Sequence, residues 1–320
     1  MSDRPLESDV EQSHAAALQT RERIRSFVRE TPLLEASPGL FLKLESLQRT
    51  GSFKVRGAAS ALTAGQGAGA RSVVAASTGN HGLAVAVLAA ALGMPCRVFV
   101  PASASGFKLQ RLRSAGVELV EVAGDPLRAE LAAREEAGSS GALFVSPYND
   151  RNVVLGQASV GLELLEQLEE EPGAVFVAVG GGGLISGIAL AVRARWPRCR
   201  IVGCVPAASP AMADAIAAGG RVVPSRLQHT LSDATAGNIE EGAITVAICA
   251  ALVDEWAVIG EQEIAAAMRA ALLEHHVAIE GASGLALAAA LGDSGEGGPR
   301  VAVLGGANVG ATALEAVLHV

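Results

Sequence analysis

Residues 51–58 read GSFKVRGA and hold a lysine in a chain that otherwise draws its positive charge from arginine. Only three lysines, Lys43, Lys54 and Lys108, stand among 25 basic residues. Arginine stays protonated in proteins, whereas a lysine amine can lose its proton and condense with a carbonyl. The small and apolar neighbours of Lys54 are a setting that lowers an amine's pKa by desolvation. Taken alone, the segment is equally compatible with a lysine kept by chance on a helix face.

A second chemical signal is GGGGLISG, residues 180–187. Consecutive glycines let backbone N–H groups converge, and a helix beginning there adds the positive end of its dipole, so the loop suits a phosphate. The dinucleotide pattern GxGxxG fails, because Ile185 and Ser186 occupy the positions five residues after Gly180 and Gly181. The P-loop pattern fails as well, since no Gly-Lys pair exists in the chain. The loop therefore reads as the seat of a single phosphomonoester, with a tight strand-to-helix turn as the plainer alternative. A third stretch, STGNHG (77–82), offers the Ser77 and Thr78 hydroxyls, a flexible Gly79 and the Asn80 amide. At a helix N-terminus these donors can cradle a carboxylate, although an ordinary N-cap has the same composition.

Both loops follow apolar runs. LFLKLE (40–45), SVVAAS (72–77), CRVFV (96–100), VELVEV (117–122), ALFVS (142–146), AVFVAV (174–179), RIVGCV (200–205), WAVIG (256–260) and VAVLG (301–305) read as strands. Helix-period segments such as NHGLAVAVLAAALG, PLRAELAAREEAG, VVLGQASVGLELLEQLEE and EIAAAMRAALLEHH separate them. Continuous apolar strands alternating with helices predict an α/β fold with parallel sheet covered on both faces. In such sheets ligands bind beyond the carboxyl ends of the strands, where STGNHG, GGGGLISG and GGANVG (305–310) fall.

Half the residues are hydrophobic, 18% are charged and the formal charge is −8. With no basic tract, nucleic acid and anionic membrane are not expected partners. The acidic N-terminus is the reverse of a secretory signal, and no apolar run is long and clean enough to span a bilayer. Cys96, Cys199, Cys204 and Cys249 lack metal-ligand or paired spacing and read as buried thiols of a cytoplasmic protein, with no disulfide and no metal site.

A reactive lysine, a phosphate cradle and a carboxylate cradle together fit pyridoxal 5'-phosphate acting on an amino acid. The sequence resembles the pyridoxal-phosphate enzymes of the tryptophan-synthase-β fold type (fold type II), most closely the serine/threonine dehydratase and serine racemase branch. The resemblance runs from LKLESLQRTGSFKVRGA through STGNHGLAVA, SPYND, GQASVGLELLEQL, GGGGLISGIA, LSDATAGN and EGASGLALAA to LGGANVG. It implies two open, mostly parallel three-layer α/β domains: residues 1–66 with 151–320 as a large cofactor domain, and 67–150 as a small mobile one. It implies a homodimer, and no C-terminal regulatory domain after GGANVG.

By the same resemblance Lys54 is the Schiff-base lysine and the base at Cα, with Phe53 beside the cofactor. Gly180, Gly181, Gly182, Gly183 and Leu184 hold the phosphate, Asn80 the ring hydroxyl, and Gly305 faces the pyridine nitrogen. Ser77, Thr78, Gly79, Asn80 and His81 line the substrate carboxylate loop, with Thr78 a second catalytic candidate. Gly305 replaces a serine usual in the branch, Val205 replaces an acidic residue of metal-binding relatives, and Ala234 stands where glycine is common. Thr78 lies where dehydratases often have alanine and racemases serine. The implied activity is β-elimination from a 3-hydroxy amino acid to a keto acid and ammonia, with a hydroxyectoine-catabolism-type dehydratase as one subgroup. A serine racemase, a β-replacement synthase and a non-catalytic cofactor-binding pseudoenzyme are the alternatives.

Overall fold

The computed structural model describes residues 4–104 and 106–318, the side chains of residues 4–9, 107 and 108 excepted. Helix α1 (Arg4–Ile24) precedes an antiparallel pair, β1 (Leu33–Ser37) and β2 (Leu40–Lys43), then a 3-10 turn over Glu45–Leu47 and helix α2 (Lys54–Gly67). Strands and helices then alternate: β3 (Val73–Ala76), α3 (Asn80–Ala91), β4 (Cys96–Pro101), α4 (Gly106–Ser114), β5 (Glu118–Val122), α5 (Pro126–Ser140) and β6 (Leu143–Phe144). The chain continues as α6 (Arg151–Gln167), β7 (Ala174–Ala178), α7 (Gly183–Val192), β8 (Arg200–Pro206), α8 (Ala211–Ala217), α9 (Ile244–Leu252) and β9 (Glu255–Ile259). It closes with α10 (Glu261–Leu273), α11 (Gly281–Gly292), β10 (Arg300–Val303) and α12 (Ala311–Leu318).

Two sheets result. One has six strands in the order β1-β2-β10-β7-β8-β9, parallel except for the β1–β2 pair; the other is β5-β4-β3-β6, parallel throughout. The period-2 geometry of a strand sends alternate side chains to opposite faces, so a strand buried on both must be apolar at every position. In β7, Ala174 and Phe176 join the core under α10 and α11 with Ile264, Met268 and Leu285. Val175 and Val177 point the other way, to Val160 and Leu164 of α6 and Ile185 and Ile188 of α7. The smaller sheet is treated alike: Val73 and Ala75 face Val55, Leu62 and Leu88, while Val74 and Phe99 face Ala129 and Ala133 of α5. The expected α/β architecture with helices on both faces is the one observed.

All nine anticipated strands are present; most are trimmed at an end, while those anticipated at 96–100 and 200–205 run one residue further, to Pro101 and Pro206. LFLKLE stops at Lys43 because Glu45–Leu47 turns, and VAVLG stops at Val303. The unread strand is β1, whose pattern of partial exposure suits an edge position. Helix α1 was also unread, because its sequence is polar on average and holds few apolar residues.

Of the charged residues, Arg56, Lys43 and Glu45 are fully buried and Glu163 nearly so. The Arg56 guanidinium forks onto Glu45 (Nε–Oε2 and Nη2–Oε1, both 2.7 Å) and reaches Glu163 Oε1 at 2.6 Å, while Lys43 Nζ holds Glu163 Oε2 at 2.6 Å. This network fixes the first turn of α2 to β2, the 3-10 turn and α6. Removing one partner would strand a buried charge, at a cost of about 3–5 kcal/mol. Cys199, Cys204 and Cys249 are buried and Cys96 half-buried, all free, and burial pushes each thiol up to about 12. Among the described residues no helix is long and apolar enough to cross a membrane, and no cluster of His, Cys, Asp and Glu suits a metal ion.

Candidate active site

A cavity of about 560 Å³ lies where the C-terminal ends of β3, β7 and β10 meet. Its position is set by how the chain enters α2. Gly51 has φ +72°, a left-handed conformation, and a side chain there would strike the Asn308 amide at 2.5 Å, so only glycine fits. The following residues are stitched to the end of β10: Phe53 N donates to Gly305 O and Ala307 N to Gly51 O, each at 2.9 Å, and Ser52 bridges Gly306. Lys54, the first residue of α2, is thereby aimed into the cavity.

Lys54 Nζ donates to the Pro147 carbonyl at 2.9 Å and stands 5.1 Å from the Phe53 ring centroid. Burial lowers its pKa to about 8, against the pull of the Glu280 carboxylate. The helix N-terminus is a further poor place for an ammonium. Lys43 has a different fate, locked by Thr31 O, Glu163 and Gln167, and the side chain of Lys108 lies outside the described residues. Of the two lysines whose side chains are described, Lys54 is the one in the cavity.

The glycine run forms the turn between β7 and α7. The backbone N–H groups of Gly180, Gly181, Gly182, Gly183 and Leu184 donate to no protein acceptor among the described residues, although the segment is mostly buried. Unpaired donors at a helix start are an anion site. The glycines also serve close packing. A side chain at Gly181 would land on the Tyr148 ring, and Gly182, at φ +84°, would meet Met212 Cε at 2.8 Å. Thr245 Oγ1 donates to Gly181 O at 2.7 Å and fixes the peptide plane. The donors present therefore fit a phosphate group, with Lys54 available to an aldehyde in the same cavity.

The third wall is the start of α3. Ser77, Thr78, Gly79 and Asn80 are half-buried and line the cavity. Ser77 Oγ accepts from Gly79 N at 3.1 Å. Asn80 is held by protein at both ends of its amide: its Nδ2 donates to Glu280 Oε1 at 2.8 Å, and its Oδ1 accepts from Asn308 Nδ2 at 2.6 Å. His81 turns its Nε2 to Val145 O at 2.8 Å; burial, with the nearby Lys54 charge, lowers its pKa to about 3 and keeps it neutral. Gly305 also lines the cavity, where a Cβ would sit 3.3 Å from Phe53 Cδ1, so the Phe53 ring takes up part of the space a serine would use.

Every candidate residue named from the sequence thus borders one cavity. Sequence reasoning missed Glu280, Asn308, Tyr148, Thr235 and Thr245. Four of these lie in segments noted only as wholes (EGASG, GGANVG, SPYND, LSDATAGN), where the segment itself was the signal.

The profile of the family described as pyridoxal-phosphate dependent enzymes matches residues 24–306. This chain belongs to that family. It is 37% identical over 308 residues to an L-threonine ammonia-lyase of Geobacter sulfurreducens, covering 93% of this chain and 76% of the relative. It is 32% identical over 283 residues to a serine racemase of rice, covering 86% of this chain and 82% of that one. Among solved structures, maize serine racemase superposes with a TM-score of 0.88 at 29% identity, over 96% of both chains. Pyridoxal phosphate is the cofactor, and the fold is that of fold type II enzymes.

Proposed function

We propose that this enzyme is a β-eliminating ammonia-lyase acting on a 3-hydroxy amino acid, with Lys54 as the group that takes the Cα proton. The observation that carries this reading is Lys54 itself, an amine lowered to about 8 that shares one cavity with the unpaired N–H groups of the glycine run. Similarity to threonine ammonia-lyases and threonine dehydratases supports it. When bound, pyridoxal phosphate supplies an aldehyde for the substrate amine and a ring that spreads the electron pair left at Cα.

The chain's own residues do the remaining work. Gly180, Gly181, Gly182, Gly183 and Leu184 offer their N–H groups to the cofactor phosphate, and Phe53 and Gly305 border the space for its ring. Ser77, Thr78, Gly79, Asn80 and His81 form the wall that receives the substrate carboxylate at the start of α3. Asn80, whose amide donors are taken by Glu280, keeps a second lone pair on Oδ1, beside the Asn308 bond, for the ring hydroxyl. Lys54 accepts the Cα proton as the Cβ–O bond breaks, so that one water leaves; hydrolysis then returns a water and yields a 2-oxo acid and ammonia.

The reading is tested by 2-oxo-acid release from serine, threonine, 3-hydroxyaspartate and the hydroxylated diamino acid of hydroxyectoine breakdown. Cofactor binding without turnover of any of them would favour a non-catalytic carrier. A racemase reading is supported by the Thr78 hydroxyl in the cavity wall and by the serine racemase relatives. The branched threonine side chain restricts where that oxygen points, so racemisation is assigned as a minor leak. Inversion of recovered serine faster than pyruvate formation, read by chiral chromatography, would reverse that order. The division into residues 1–66 with 151–320 and residues 67–150, a homodimer and a cytoplasmic location belong to the same proposal. Limited proteolysis, sedimentation and cell fractionation test them.

A further inference from the structure

One charged group on the cavity wall has no part in the reaction above. Arg111 stands on α4, and the next residue, Leu112, packs on the first turn of α3, its Cδ2 3.4 Å from where a Gly82 side chain would begin. Arg111 is half-buried beside the Ser77–His81 wall and lines the same cavity as Lys54. A guanidinium carries five N–H donors in a planar fork. Arg111 makes one hydrogen bond among the described residues, from Nη2 to the neutral amide oxygen Asn308 Oδ1 at 2.7 Å. No carboxylate of the described residues pairs with it, whereas the equally half-buried Arg97, Arg134 and Arg200 each grip two. Glu280 and Asp233 also border the cavity, but the Glu280 carboxyl is taken by Asn80 and by Asn308 N, and it feels Arg111 only at longer range.

We propose that Arg111 is a specificity-determining residue that binds a carboxylate on the substrate side chain, so that the preferred 3-hydroxy amino acid carries a second acidic group. The α-carboxylate has its own donors in the Ser77–His81 wall, which leaves the guanidinium for an anion further along the substrate. Its fork matches a planar carboxylate through two parallel N–H···O bonds, and the Asn308 contact orients the fork while leaving other N–H groups open. The methyl of threonine or the hydrogen of serine would leave those donors without a partner. For a 3-hydroxy diacid the Cα–H and Cβ–O bonds break, water leaves, and hydrolysis returns water to give a 2-oxo diacid and ammonia. This assignment rests on the β-elimination reading above.

Two measurements on the holoenzyme keep the two ideas apart. L-Aspartate and L-alanine have nothing to expel from Cβ, so the change they cause in the cofactor's absorbance reports binding without elimination. Aspartate is expected to bind at least about tenfold more tightly than alanine, and Arg111→Gln to bring that ratio near one, with Arg111→Lys in between. In the second measurement, the ratio of kcat/KM for 3-hydroxyaspartate to that for serine is expected to fall at least about tenfold in Arg111→Gln, through KM. Equal wild-type affinity for aspartate and alanine, or the same loss for both hydroxy amino acids in Arg111→Gln, overturns the Arg111 assignment and leaves the lyase reading standing. A wild-type aspartate preference that Arg111→Gln abolishes, with no turnover of either hydroxy amino acid, supports Arg111 as an anion-recognising residue and removes the lyase reading instead; a preference that survives in Arg111→Gln overturns the Arg111 assignment.

Discussion

Asn80 Nδ2 lies 2.8 Å from Glu280 Oε1 and 3.1 Å from Oε2, so two residues 200 positions apart share one hydrogen-bonded unit on the cavity wall. Asn308 completes it, its N–H on Glu280 Oε2 and its side chain on Asn80 Oδ1. The unit joins the start of α3 to the start of α11 and to the loop after β10.

Burial pushes the Glu280 carboxyl up to about 7, and the Asn80 donor pulls only part of the way back. In the unfolded chain the same group titrates near ~4.3. Between these values the folded apoprotein binds more protons than the unfolded chain, so its stability falls as pH rises from about 4.5 to about 7.5 and then levels. Glu280→Gln removes that slope. Urea denaturation at pH 5 and pH 8 should show wild type losing about 3 kcal/mol relative to the variant across the window. A pH-independent difference would place the Glu280 charge in a better solvated setting than the structure gives it.

The lowered Lys54 pKa has a chemical consequence. The amine becomes neutral as pH passes about 8, well below the ordinary lysine range of ~10.4. The rate at which the apoprotein takes up pyridoxal phosphate should therefore climb to half its maximum near pH 8. Lys54→Ala and Lys54→Arg should both lose the visible absorbance band and turnover, since guanidinium cannot condense with an aldehyde. Borohydride reduction followed by peptide mapping should mark Lys54; a mark on Lys43 would sink the assignment.

The glycine run is best tested by the ligand. Pyridoxal without its phosphate should bind at least about 100-fold more weakly than the phosphorylated form, because several charge-assisted bonds to backbone N–H groups are lost at once. Comparable affinities, measured by absorbance titration, would leave the run as a packing turn alone. Gly182→Val is a poorer probe than the sequence implies, since φ +84° and the Met212 contact make it costly to the fold as well.

Gly305→Ser should keep the enzyme active. The new Cβ meets Phe53 Cδ1 at 3.3 Å, a contact the ring can relieve by a shift of a few tenths of an ångström. The added hydroxyl gives the pyridine nitrogen a donor, and turnover should change by about tenfold or less, equivalent to ~1.4 kcal/mol. Loss of cofactor in this variant would show that Phe53 cannot yield.

The sequence by itself determined the fold class and the chemistry-bearing segments. Buried parallel strands must be apolar at every position, so AVFVAV and SVVAAS announce themselves, and a glycine run at a strand end has few other uses. The rare lysine of GSFKVRGA was legible for a similar reason, its contrast with an arginine-rich background. Strand β1 and helix α1 were not legible, because partly exposed elements lack a full apolar pattern. Tertiary structure alone decided which charges are buried with partners and which face the cavity. Lys43 and Lys54 look alike in the chain, yet one is locked to Glu163 and the other lies over Phe53. Likewise nothing local separates Arg111 from the other arginines, or foretells that Glu280 meets Asn80. These relations depend on which loops the sheet order brings to one end of the strands, and the strand order is set by packing between segments that lie far apart in the sequence.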